Sequence, residues 1–306
     1  MQSFLEKVQS IPRLRPECVM CVVKKYAHRY PENASNLKKV EYMQNVFSII
    51  SKASKTTAIP VITRDIDDMR FEMFGLKDEY AEIKWHYNEM MFEQIDTFRE
   101  KIRAAEDSLL FAMQLSLIGN YIDFAAVKNV NEAYLNEMLA MAHEKEFDLA
   151  TFDRLKKDLE KGGKMAFFTD NCGEVVLDML LIEEMKKQYP LLDITVIVKG
   201  QEAINDATME DAKQIGLDRL VNVIGNGNNV GASWIPEMPE NVIRVIEEAD
   251  IIFSKGQANF ETLRHCERNA YYLFLCKCDM FANQFQVEPF SGMFIHESDP
   301  KNGILE

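Results

Sequence analysis

The sequence predicts an α/β fold: a doubly wound, mostly parallel sheet preceded by a helical domain. Two observations carry this. Before residue 150, long segments repeat apolar residues at spacings of three and four, and little there reads as strand. After residue 150, short continuous apolar runs alternate with helix-forming segments. Such runs are strands buried on both faces, which pair in parallel, and right-handed crossovers between them give an open, doubly wound sheet. The division is therefore a helical domain over 1–150 and an α/β domain over 151–306.

In the first half, "PECVMCVVKKY" starts a helix after Pro16, and "NLKKVEYMQNVFSIISKA" and "NEAYLNEMLAMAHEKE" are amphipathic helices. The stretch from Met69 to Ala126 is mostly helix-forming. "TTAIPVITRDIDDM" is the clearest interruption, where Pro60 breaks or bounds a helix. In the second half the strands are "MAFFTD" (165–170), "DITVIVKG" (193–200), "LVNVIGNG" (220–227), "DIIFSKG" (250–256) and "YYLFLCKC" (271–278). "EVVLDMLLIEEMKKQY", "TMEDAKQIG" and "PENVIRVIEEA" are the helices between them. "ESDPKNGILE" reads as a polar tail, and no internal repeat or low-complexity tract is present.

The totals bound the function. At 306 residues the chain can bury a full core, and 47% hydrophobic with 27% charged residues is a globular composition. A formal charge of −14 argues against broad binding to nucleic acid or to an anionic membrane surface, but not against a small anion at a local site. No apolar run is long enough for a membrane span, and the N-terminus lacks the apolar region of a signal peptide. Six sparse cysteines fit free thiols in a reducing compartment, so the cytoplasm is the expected location. Oligomeric state is not readable.

In an open α/β sheet, ligands bind beyond the carboxyl ends of the strands. The first predicted strand ends in Asp170-Asn171, followed by Gly173-Glu174. The second ends in Lys199-Gly200, with Asn205 and Asp206 farther along its loop. The third ends in "GNGNNVG", and the fourth in Lys255-Gly256-Gln257. Each cluster alone has an ordinary reading: Asp-Asn before a helix is an N-cap, a strand-end lysine is solvated surface, and "GNGNN" is a turn that lacks the dinucleotide fingerprint's spacing. Together they place oxygen donors and two lysines on one rim. Carboxylate and amide oxygens are hard ligands suited to magnesium or manganese, and Asp170, Asn171 and Asp206 could supply three of them. Lys199, Lys255 and the helix N-termini after Gly173 and Asp206 would add positive charge for an anion, which together suits phosphoryl chemistry.

These motifs, "TDNCGE", "VKGQEAINDATMEDA" and "SKGQANFETL" with the upstream "GNYIDFA", resemble those of the metal-dependent damage-control phosphatases, formerly a family of unknown function. The likeness spans nearly the whole chain and is greatest to the prokaryotic subfamily, whose members also begin with a Cys-x-x-Cys segment like Cys18–Cys21. The resemblance implies a helical portion packed on an α/β sheet and a divalent ion (magnesium or manganese, with nickel and cobalt as further candidates) held by Asp170, Asn171 and Asp206. It implies that Lys255 contacts the substrate phosphate, that Glu174, Asn205, Asn120 and Asp123 line the pocket, and that the reaction hydrolyses phosphate monoesters of small metabolites. On this reading Asp170, Glu174 and Lys255 form the catalytic group, with Lys199 and Gln257 beside the substrate. Ala258 stands where many relatives carry glycine, which puts that loop's backbone conformation in question. Whether Asp170 is only a ligand or also a nucleophile is open. A haloacid-dehalogenase reading fails because Cys172 occupies the second position of its Asp-x-Asp motif.

Cys18–Cys21 could make a zinc site only with Cys276–Cys278, whose spacing on a strand is poor for one tetrahedral ion, so buried free thiols are favoured. A structural or redox role stays open. His28, His86, His143, His265 and His296 show no ligand spacing. The competing functions are a carboxyl methyltransferase using S-adenosylmethionine, which the sheet and "GNGNN" allow, and a non-catalytic binder of phosphorylated metabolites.

Overall fold

The computed structural model describes residues 4–75, 80–123, 132–142 and 147–300. His143, residues 124–126 and the end of the polar tail lie outside them. The described helices before the first strand are α1 (Phe4–Ser10), α2 (Pro16–Tyr26), α3 (Asn36–Lys52), α4 (Ile59–Phe74), α5 (Ala81–Glu93), α6 (Ile95–Ala104), α7 (Ser108–Gly119), α8 (Glu132–Ala140) and α9 (Leu149–Glu160). Their starts follow local chemistry. Ser35, Asp107 and Asp148 each accept a backbone N–H three residues on, at the heads of α3, α7 and α9. Pro60 lies in the first turn of α4, where its missing N–H costs nothing, so it bounds a helix and breaks none.

The α/β portion follows as β1 (Gly163–Phe168), α10 (Glu174–Gln188), β2 (Leu192–Val198), α11 (Met209–Ile215), β3 (Asn222–Gly225), α12 (Glu240–Glu248), β4 (Ile251–Lys255), α13 (Gln257–Leu263), β5 (Ala270–Leu275), α14 (Asp279–Phe285) and β6 (Gly292–His296). The sheet order is β3-β2-β1-β4-β5-β6. The first five strands are parallel, and β6 joins antiparallel, pairing Tyr272 with Ile295.

Alternation along β1 shows how both faces are covered. Met165 and Phe167 enter a core shared with α5, α6, α7 and α10, while Ala166 and Phe168 enter a second core beneath α12, α13 and α14. Each face needs its own helical layer because successive side chains point to opposite sides. Helix α7 is apolar almost all round and packs along α10 and against β5. A smaller core of Tyr26, Tyr42, Val46, Ile62 and Ile66 joins α2, α3 and α4.

Candidate active site

The chain runs β1 to β2 to β3 on one side of β1, and then β4 to β5 on the other. The carboxyl ends of β1 and β4 are thus the switch point, where an open sheet leaves a crevice. Asp170 follows β1 there and Gly256 follows β4. Gly256 adopts φ +84, and a Cβ added to it would sit 2.1 Å from the Asp170 carboxylate carbon. Glycine is needed at this position for both conformation and space. Asn259 ties the two strand ends together, donating Nδ2 to the carbonyls of Thr169 (2.9 Å) and Lys255 (2.7 Å). Ala258 lies inside α13 in ordinary helix, so the positive φ of this motif falls on Gly256 and none is required of residue 258.

The second loop is joined to the first through the backbone. Residues Asn171 and Asp206 form an isolated antiparallel bridge, with Cys172 N–H donating to the Asn205 carbonyl (2.8 Å) and Ala207 N–H to the Asp170 carbonyl (2.7 Å). All three proposed ligands, Asp170, Asn171 and Asp206, are therefore carried on one hydrogen-bonded unit. The side chains of Asn120 and Asn171 each donate Nδ2 to both Asp170 Oδ2 and Glu174 Oε2, four bonds of 2.9 Å. Asn120 Oδ1 in turn accepts Leu275 N–H from β5 (3.0 Å). Asn205 Nδ2 donates to Asn171 Oδ1 (2.9 Å), while Asn205 Oδ1 is buried with no hydrogen-bond partner among the described residues.

The lysines take up different positions. Lys199 Nζ lies 3.2 Å from Asp206 Oδ2 at the edge of the cluster. Lys255 Nζ is fully buried and spends its three protons on Glu174 Oε1 (2.6 Å), Asp178 Oδ1 (2.8 Å) and the Ser116 carbonyl (3.0 Å). A phosphate contact by Lys255 would require giving up one of these, and in this arrangement it fixes Glu174 instead. Burial alone would depress its pKa, but the Asp178 and Glu174 carboxylates outweigh burial and hold it above the ordinary lysine value. Gln257 accepts Lys277 N–H (2.8 Å) and donates to Glu261 (2.9 Å), and Asp123 pairs with Lys277 Nζ (2.7 Å), so these two brace the rim of the site.

Negative charge dominates the centre. Burial, then the neighbouring Glu174 and Asp206 carboxylates, push the Asp170 carboxyl well above its usual range, with Lys277 opposing weakly. Burial raises Asp206 to about 6 although Lys199 pulls it down. An acid cluster of this kind, with an orphaned amide oxygen beside it, suits a divalent cation. Among the described residues no three His, Cys, Asp or Glu side chains converge into a ready-made cage. An ion here would lean on Asp170, Asp206 and the Asn171 amide oxygen, with water and substrate completing its shell, as magnesium sites commonly do. Asn171 now turns Nδ2 toward the acids, so ligation through Oδ1 needs a half-turn of its amide.

Several contributing residues carry no motif in the sequence. Asp178, one helical turn beyond Glu174, accepts from Lys255 and from Ser116 Oγ (2.6 Å), and its carboxyl rises to about 6 through burial despite Lys255. Asn88 Oδ1 accepts Gly173 N–H (2.6 Å) while its Nδ2 donates to Asp211 (2.8 Å), to which Lys84 pairs at 2.8 Å. At the N-terminus of α11, Asp211 accepts Thr208 N–H and Oγ1–H (2.8 and 2.7 Å), so an acid of the helix's own first turn lies against that end. The signal available for Asp178 was an acid on the buried stripe of α10; for Asn88 and Lys84 there was none, because their partners lie 85 or more residues away. In "GNGNN", Asn226 Oδ1 accepts Gly200 N–H (2.8 Å) and Asn228 Oδ1 accepts Val230 N–H (3.1 Å), so these amides brace the loop itself.

The sequence pattern of the damage-control phosphatase ARMT1-like domain matches residues 14–291. The chain belongs to this family. It is 30% identical over 220 residues to a damage-control phosphatase of Archaeoglobus fulgidus, covering 71% of this chain and 75% of that one. It is 26% identical over 287 residues to a damage-control phosphatase of Pyrococcus horikoshii, covering 90% and 95%. A crystal structure of a DUF89 family protein from Pyrococcus horikoshii superposes with a TM-score of 0.76 at 24% identity, over 93% of this chain and 99% of that one, which shows a shared fold.

Family membership also frames the thiols. All six cysteines are free, but the Cys18–Cys21 pair is not buried as expected: Cys18 is half-buried and Cys21 exposed. Burial pushes the Cys172 thiol well above its ordinary range and the Cys18 and Cys276 thiols up to about 11. None of these three is a thiolate at neutral pH, so Cys172, though adjacent to the site, is a poor nucleophile. Among the described residues no helix is long and apolar enough to cross a membrane.

Proposed function

We propose that the protein is a divalent-metal-dependent phosphatase acting on phosphate monoesters of small metabolites, with magnesium or manganese held by Asp170, Asn171 and Asp206. The observation that carries this is the under-compensated acid cluster at the switch point, where Asp170 is pushed up by burial and then by the Glu174 and Asp206 carboxylates, and is held with Asn171 and Asp206 on one hydrogen-bonded unit. Membership of a family whose relatives are named damage-control phosphatases supports the phosphatase class. When bound, the ion would neutralise charge on a phosphate oxygen and lower the pKa of a bound water.

The chain's own groups do the rest. Lys199, 3.2 Å from Asp206, offers an ammonium to phosphate oxygens at the edge of the cluster. Asn120 and Asn171 hold Asp170 and Glu174 in a fixed relation, and Lys255 locks Glu174 from behind. Glu174 and Lys255 thus act as positioning residues, through Asp170 and Asn171. Asn205, whose Oδ1 lacks a partner among the described residues, and the braced pair Asp123–Lys277 line the approach. Near-complete burial of Asp170 and Asn171 excludes bulk water, which strengthens each of these interactions.

The test is Asp170→Ala assayed for magnesium- or manganese-dependent hydrolysis of an aryl phosphate. Loss of at least about a thousandfold in kcat is expected, with the fold retained by circular dichroism. Undiminished activity would sink the assignment.

A further inference from the structure

A cavity of about 730 Å³ lies between α4, the start of α5 and the loops following β2 and β3. It shares a wall with the site. Ala203 and Ile204 face the cavity, and the next two residues are Asn205 and Asp206 of the acid cluster. Ile204 adopts φ +51, a conformation that a β-branched residue takes only when its surroundings force it. The strain lies where one short loop must present two residues to the cavity and the next two to the ligand cluster. The volume suits a small-molecule site, and the position, beyond the carboxyl ends of two strands, is where such sheets bind ligands.

The lining states what would fit. Phe71, Tyr80 and Ile83 supply apolar and aromatic surface. The charged lining is two arginines, Arg64 and Arg70, against four acids, Asp67, Asp68, Glu82 and Glu202. Arg64 is bound by Asp65 and Glu237, and Arg70 lies 4.0 Å from Asp67. Asp67 and Glu202 are met by Arg29 (3.8 Å) and Lys84 (2.9 Å) from outside the cavity. That leaves Asp68, on which Arg64 also acts, and Glu82, both exposed and without an ion pair within 4 Å among the described residues, to set a negative potential on the wall. A second phosphate would be repelled, whereas an uncharged ring would find apolar contact.

We propose that this cavity receives the leaving-group half of the phosphate ester and selects a ring-bearing organic group that carries no second phosphate. This rests on the phosphatase reading above.

The test uses the full-length protein with magnesium or manganese and 4-nitrophenyl phosphate as reporter. Competition constants are measured for cyclic sugar monophosphates against their bisphosphates, for example glucose 6-phosphate and glucose 1,6-bisphosphate. The wild type should favour the monophosphate, and Asp68→Lys with Glu82→Lys should move the ratio toward the bisphosphate by about tenfold. Phe71→Ala, at an exposed position, should raise KM for the reporter about fivefold with kcat within about twofold and an unchanged melting temperature. Reporter turnover with a ratio unmoved by charge reversal and a KM unmoved by Phe71→Ala overturns the cavity assignment alone. Absence of metal-dependent turnover of any ester overturns the phosphatase reading and this inference with it.

Discussion

At the scale of single residues, the site is a problem in charge balance. Asp206 and Asp178 ionise near 3.8 when unfolded and at about 6 when folded. The folded state therefore binds more protons across that interval, and the stability this contributes is full below the unfolded value and lost as pH rises through about 6. Replacing Asp206 by Asn should therefore raise the melting temperature of metal-free protein more at about pH 7.5 than at about pH 5, and added manganese should raise that of the wild type more at the higher pH. Differential scanning calorimetry at the two pH values checks both signs. Lys255 is the converse case, a buried cation between two buried acids. Lys255→Met leaves Glu174 and Asp178 facing each other unpaired, and should cost about 3–5 kcal/mol in urea denaturation. Adding Asp178→Asn to that variant should recover part of the loss.

At the scale of elements, the two strand ends meet through a glycine. Gly256→Ala would place a methyl 2.1 Å from the Asp170 carboxylate carbon and force alanine to φ +84. A loss of about 2 kcal/mol or more in stability and about a hundredfold in kcat is expected, read by denaturation and steady-state kinetics. The five parallel strands and α10, α11 and α12 were legible because burial on both faces leaves continuous apolar runs, and because Gly216 closes α11 in the left-handed conformation. Strand β6 was not. "GMFIH" joins antiparallel at the edge, outside the parallel pattern by which the other strands are recognised. Asp170, Asn171 and Asp206 could be placed on one rim from their strand-end positions. The burial of Lys255 could not, because it depends on Asp178 and on the Ser116 carbonyl of α7, and neither strand order nor helix period reports that crossing.

At the scale of the molecule, a formal charge of −14 surrounds the site at which we propose a phosphate ester binds. The long-range field opposes the substrate while Lys199 and any bound cation attract it only at short range. Screening should therefore help: kcat/KM for an anionic ester is expected to rise about two- to threefold between about 10 and 150 mM monovalent salt. A fall over that range would mean that a positive approach path overrides the net charge.

The bridge between Asn171 and Asp206 has a kinetic corollary. Its two amides, Cys172 N–H and Ala207 N–H, are locked into carbonyls of the opposite loop rather than into a ligand. Deuterium should enter these two positions slowly even in metal-free protein, at rates set by separation of the loops and not by loss of an ion. Residue-resolved exchange at Cys172 and Ala207 is thus a clock for the opening of the site, and it can be read without substrate, metal or turnover.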